Sequence, residues 1–144
     1  MADFSHLKGL QLSDTKEFEL HQISVNGVSP VLVVKPSTES NKPFFNKVLQ
    51  RMGKSARMLR SGKITPAMSA ENRKDDRELF PKHVIVGWSN VLDTDGTIVP
   101  YSQEECANFL NALPDWIFDE LRAFCNDPAN FSETVDVEVA AKNS

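Results

Sequence analysis

The sequence predicts an α+β protein, mostly helical, with one N-terminal β-hairpin and a C-terminal helical bundle. Three observations predict it. An Asn26-Gly27 pair sits between two apolar-rich runs. Apolar residues from Phe45 onward recur at three-and-four spacing, and the region from Ser102 to Cys125 carries two further stripes of that period.

The hairpin comes first. In "FELHQISVNGVSPVLVVK" (18–35) the Asn-Gly pair suits a two-residue type I′ turn, because both of its positions need positive φ. Centring the turn there pairs Val25 with Val28, Leu20 with Val33 and Gln22 with Val31. Phe18, Leu20, Val31 and Val33 then share one face that the rest of the chain must cover. Residues 1–17 read as a loose arm, and 18–131 as a single domain with its helices in 43–131. "KPSTESNKP" (35–43) reads as a linker.

Phe45, Val48, Leu49, Met52, Ala56 and Leu59 predict a helix, with Pro43 in its first turn, Gly53 weakening its middle and "SGK" (61–63) ending it. Thr65-Pro66 is a start signal for the next. That second stretch, "AMSAENRKDDREL", is polar enough to predict a solvated helix. Phe80, Val84, Trp88 and Val91 recur at four, four and three, which predicts helix continuing or restarting near Pro81. Ser102 to Glu105 is a capping box. Behind it, Cys106, Phe109, Leu110 and Leu113 form one stripe, and after Pro114, Ile117, Phe118, Leu121 and Cys125 form another. "NDPANF" ends that helix. Residues 132–144, acidic and small, read as a disordered tail.

The totals narrow function. The 144 residues suit one domain, with 40% hydrophobic and 25% charged residues. No apolar run reaches membrane-spanning length, and the N-terminus has no signal pattern. Cys106 and Cys125 are expected as buried thiols in a reducing cytosol. The net charge of −4 is uneven. Lys42, Lys47, Arg51, Lys54, Arg57, Arg60 and Lys63 fall in a stretch with no acid, so it carries +7 and the remainder −11. Lys47, Arg51, Lys54 and Arg57 lie four, three and three apart and form a stripe beside the apolar face. Three readings compete for it: a solvated face, a dock for an acidic protein partner, and a sequence-independent phosphate contact.

Asp93-Thr94-Asp95-Gly96 resembles a calcium loop at first sight. With Asp93 at the first position its glycine falls two places early, and with Val91 there the leading carboxylate is missing. A turn needs those residue types anyway. His6, His21 and His83 have no ligand spacing, and no nucleophile elbow, phosphate loop or dinucleotide fingerprint occurs. The expectation is a non-enzymatic protein with no catalytic residue, cofactor or metal.

"HVIVGWSNVLDTDGTIVPYSQEECANFLNALPDWIFDELRAFCNDPANF" resembles the tail assembly chaperones of long-tailed bacteriophages. The shared pattern is a helix ending in Gly87-Trp88, an Asp95-Gly96 turn, Pro100-Tyr101-Ser102 opening a helix, Leu113-Pro114-Asp115 between helices, and a closing Asn130-Phe131. With the small charged tail it covers about residues 79–144. The resemblance implies a protein that binds the tape measure protein, keeps it soluble and helps recruit tail tube subunits. It implies action in the host cytoplasm and absence from the mature virion. Lys47, Arg51, Lys54 and Arg57 are then the candidate partner contacts. Trp88 is the expected core anchor, with Phe109, Leu110, Ile117, Phe118 and Leu121, once the Asp93–Gly96 turn has folded its helix back. Ala141-Lys142-Asn143 permits a slippery heptamer, which would give a longer, frameshifted form of the chain as a further partner. The rival is a small nucleic-acid-binding protein using the basic helix 42–63.

Overall fold

A computed structural model describes residues 2–9, 12–51 and 66–132. Lys54, Arg57, the predicted helix stop at 61–63 and the predicted tail beyond Ser132 lie outside the described residues. The architecture is α+β. Three strands, β1 (Lys16–Glu19), β2 (Val31–Val34) and β3 (Ile85–Ser89), form an antiparallel sheet in the order β1-β2-β3. The α-helices among the described residues are α1 (Lys42–Arg51), α2 (Pro66–His83), α3 (Gln103–Ala112) and α4 (Asp115–Cys125).

The Asn-Gly turn forms as its chemistry requires. Asn26 (φ 53°) and Gly27 (φ 79°) take the left-handed region, and Val25 and Val28 exchange backbone hydrogen bonds of 2.8 and 2.9 Å. The pairing beyond the turn is corrected. A 3-10 turn at His21–Ile23 takes up three residues, so Val31 faces Glu19 rather than Gln22, and Val33 faces Glu17 rather than Leu20. A slip by an odd number exchanges the two faces of a strand. Leu32 and Val34 are therefore fully buried, while Val31 and Val33 are only half-buried. Leu20 enters the core as expected, and Phe18 packs against it across from Leu32. Lys16 and Glu17, assigned to the loose arm by composition, belong to β1. The arm is tied further along, where Ser13 N–H donates to Phe131 O at 2.5 Å and Leu12 bridges Ser132.

The helix predicted through Val84 and Trp88 does not form. α2 runs through Pro81 to His83, and the chain then becomes a strand, with Gly87-Trp88 in β3. Pro81 is tolerated because it lies in the last turn, where only one intrahelical bond is lost. Spacing of four, four and three fits a helix, but "VIVGW" is also a short apolar run, which fits a buried strand equally well. β2 supplies the partner that decides it: Leu32 pairs with Trp88 and Val33 with Gly87.

The core lies between the sheet and the helices. Phe80 bridges two of them, its ring 5.7 Å from Phe44 of α1 and 5.5 Å from Phe118 of α4. Leu110, Ile117, Phe118 and Leu121 are buried as expected. Trp88 and Phe109 are half-buried at the edge, with ring centroids 5.5 Å apart, and Trp88 Nε1 donates to Val99 O at 2.9 Å. Trp88 is thus a strand residue at the core's rim, not the centre of a helical anchor. Phe131, which carries no periodic signal, is fully buried against Phe124. Cys106 and Cys125 are free and fully buried, and burial pushes both thiols up to about 12.

Candidate functional site: a groove between three helices

The solvated helix of the sequence reading is in fact clamped to its neighbour. Arg73 donates from Nε and Nη2 to the two oxygens of Asp119, at 2.9 and 2.8 Å. This bidentate geometry is the stronger form of arginine–carboxylate pair. Arg122 reaches back from α4 to Asp76 at 2.7 Å and along its own helix to Asp119 at 3.0 Å. Arg77 meets Asp115 at 2.7 Å, donates to the carbonyls of Leu110 and Leu113 at the end of α3, and lies over the Phe118 ring at 4.7 Å. The Leu113 carbonyl thereby finds a donor that a helix end otherwise lacks, and Leu110 O, which also accepts from Leu113 N–H, gains a second. The Arg73 guanidinium holds the Asp119 carboxyl below its usual range. Burial outweighs the Arg122 pairing at Asp76 and raises its pKa.

Between α1, α2 and α4 this network borders a groove of about 460 Å³. Phe44, Phe45, Val48, Leu79 and Ala123 supply its apolar surface. Its polar rim holds Glu71, Asp75, Asp76 and Asp119 against Arg51 and Arg122. Arg51, the end of the described part of the basic stripe, is committed to this rim: it pairs with Asp75 at 2.9 Å and Glu78 at 2.8 Å. That pairing raises the Arg51 pKa and lowers that of Glu78, in both cases chiefly through the hydrogen bond between them. Lys47 is exposed. The structure therefore splits the predicted stripe, with Arg51 exposed but ion-paired to α2, Lys47 exposed and in no ion pair among the described residues, and Lys54 and Arg57 beyond those residues.

Positive charge gathers elsewhere. Lys35, Lys42, Lys82 and His83 line a second cleft of about 610 Å³, with Asp14 on the same wall. Burial, then Lys47 and Lys82, lower the His83 pKa, which keeps that ring neutral at neutral pH. Residues this distant in sequence gave no pattern to find. The charge excess over 42–63 did not point here, since of these residues only Lys42 falls in that range.

Asp93–Gly96 is a turn. Asp93 Oδ1 accepts from the N–H groups of Asp95 and Thr97, both at 2.9 Å, and Gly96 takes φ +83°. Among the described residues no group of three or more His, Cys, Asp or Glu is placed to hold a metal ion, and no described helix is long and apolar enough to cross a membrane.

Fold and site together define a small α+β domain with an ion-paired, apolar-floored groove. Residues 40–143 match a family model described as YdaY prophage protein, and the chain belongs to that phage-related family. No curated protein and no solved structure matches it.

Proposed function

We propose that this protein is a non-enzymatic phage tail assembly chaperone. It binds the tape measure protein, keeps it soluble and helps recruit tail tube subunits, in the host cytoplasm and without entering the mature virion. Membership of a prophage family supports the reading, as does the chaperone-like order of motifs over residues 79–144, in which Gly87-Trp88 lies in a strand rather than ending a helix. The observation that carries it is the groove between α1, α2 and α4, floored by Phe44, Phe45, Val48 and Leu79. A long amphipathic helix without its tube exposes an apolar stripe and aggregates. A groove of this kind covers such a stripe, helix in groove. Modest affinity per copy suffices when many copies line one helix.

The test is co-expression with the tape measure protein of the same phage. The expected result is a soluble complex containing both chains, where the tape measure protein alone is insoluble. Unchanged insolubility would reject the reading. The cleft lined by Lys35, Lys42, Lys82 and His83 favours a second reading, nucleic-acid binding. Tight, strongly salt-dependent retardation of DNA or RNA at physiological salt would support that alternative instead.

A further inference from the structure

We propose that the groove selects by charge: it takes an amphipathic helix whose apolar stripe is flanked by lysines or arginines, and rejects one flanked by carboxylates. The inference rests on the chaperone reading for the identity of the natural partner, but not for the chemistry of the site. It reverses the expectation that a basic stripe on α1 meets an acidic partner.

A helix with its side chains is about 10 Å across, and a groove of about 460 Å³ admits one face of it rather than the whole. The floor offers that face aliphatic and aromatic carbon. The rim sets what may flank it. Four carboxylates, Glu71, Asp75, Asp76 and Asp119, stand against two guanidiniums, Arg51 and Arg122, so the described residues of the lining carry −2. Extending the border to the ion pairs behind it adds Glu78 and Asp115 against Arg73 and Arg77, and the balance stays at −2. Among the described residues, no basic side chain of the groove is uncommitted: Arg51 is paired twice, and Arg122 is held by Asp76 and Asp119.

Acceptors, by contrast, remain. Glu71 is exposed and in no ion pair among the described residues. Asp75 uses only Oδ1 toward Arg51, and Asp76 only Oδ2 toward Arg122. A carboxylate accepts through both oxygens, so each can receive a further cation without giving up its arginine. Among the described residues, a carboxylate arriving at the same rim would meet acceptors in excess and, as donors, only neutral groups such as Asn72 and Ser37 and guanidiniums already paired. Like charges brought together at an interface cost far more than rim pairs of opposite sign gain, so selection acts mainly by rejection.

The experiment uses the full chain and two fluorescein-labelled synthetic helices with the same leucine stripe, one flanked by lysines and the other by glutamates. Fluorescence anisotropy at physiological salt should show the lysine helix binding at least about tenfold tighter. Glu71→Lys should abolish most of that preference, as should Ala123→Arg, which fills the groove from an exposed position. Glu17→Lys on β1 changes the net charge as much as Glu71→Lys but lies outside the groove, and should leave binding unchanged. All three variants alter exposed residues, and matching melting curves establish that they fold. Equal or tighter binding of the glutamate helix overturns the proposal. So does equal weakening by Glu17→Lys and Glu71→Lys, which would mean diffuse attraction to an acidic protein. A groove that binds the lysine helix in a protein that fails to solubilise the tape measure protein would overturn the chaperone reading alone.

Discussion

α2 and α4 are linked through their side chains and hold the fold by opposite means. α4 buries Ile117, Phe118, Leu121 and Cys125. α2 sends Leu79 and Phe80 into the core from its last turns, and is also bound by Arg73, Asp76 and Arg77 to residues of α3 and α4 and by Asp75 and Glu78 to Arg51 of α1. Apolar burial is non-directional and tolerates small adjustments. Arginine–carboxylate pairs fix an orientation, because a planar guanidinium meets its partner at few angles. The apolar helix therefore supplies most of the stability, and the polar one sets how the helices sit around the groove.

The largest expected effect falls on the apolar side. Phe118→Ala empties a site fully buried beneath Arg77 and beside Phe80, and should cost roughly 3–5 kcal/mol in chemical denaturation. A loss below 1 kcal/mol would make the ion-paired helix the main source of stability. Next comes Arg77→Met, which keeps the aliphatic stem but leaves the Leu113 carbonyl without its donor, Leu110 O with only the Leu113 N–H, and Asp115 with only Arg73. It should cost about 1–3 kcal/mol. An unchanged midpoint would show that water replaces the guanidinium freely.

The smallest effect is the most discriminating. Asp119 and Asp76 share Arg122 but have pKa shifts of opposite sign. The lowered Asp119 contributes stability above its ordinary value of 3.8, lost as pH falls through the folded value. The raised Asp76 contributes stability that is fully present below 3.8 and lost as pH rises through its own folded value. Asp119→Asn should thus weaken the fold at neutral pH by under about 1 kcal/mol, the carboxylate being 40% exposed, and flatten the acid limb of the stability curve. A steeper acid limb would reverse the assignment.

The same contrast explains what could be read from the chain. The stripes of α3 and α4 were legible because each repeats within one helix, and Ser102 caps α3 as its spacing implied, accepting from Glu105 N–H at 3.0 Å. The Asn26-Gly27 turn was legible because two adjacent residues determine it. The register beyond it was not, since the 3-10 turn at His21–Ile23 has no sequence marker and moves every later pair. β3 departs from the helix its spacing predicts because this edge strand is defined by its neighbour, β2, some fifty residues earlier. The groove was least legible of all. Its Arg73–Asp119 and Arg122–Asp76 pairs each span 46 positions, and composition alone made α2 look solvated.

The two cysteines give this domain a built-in clock. At neutral pH a thiol pushed up to about 12 and sealed from solvent does not react with alkylating agents. Each therefore reacts only when its surroundings open, and its labelling rate measures that opening. Cys106 stands near the start of α3 and Cys125 at the last position of α4. Equal rates mean the two helices come away as one unit. Faster reaction at Cys125 means that α4, one wall of the groove, lifts while α3 stays in place.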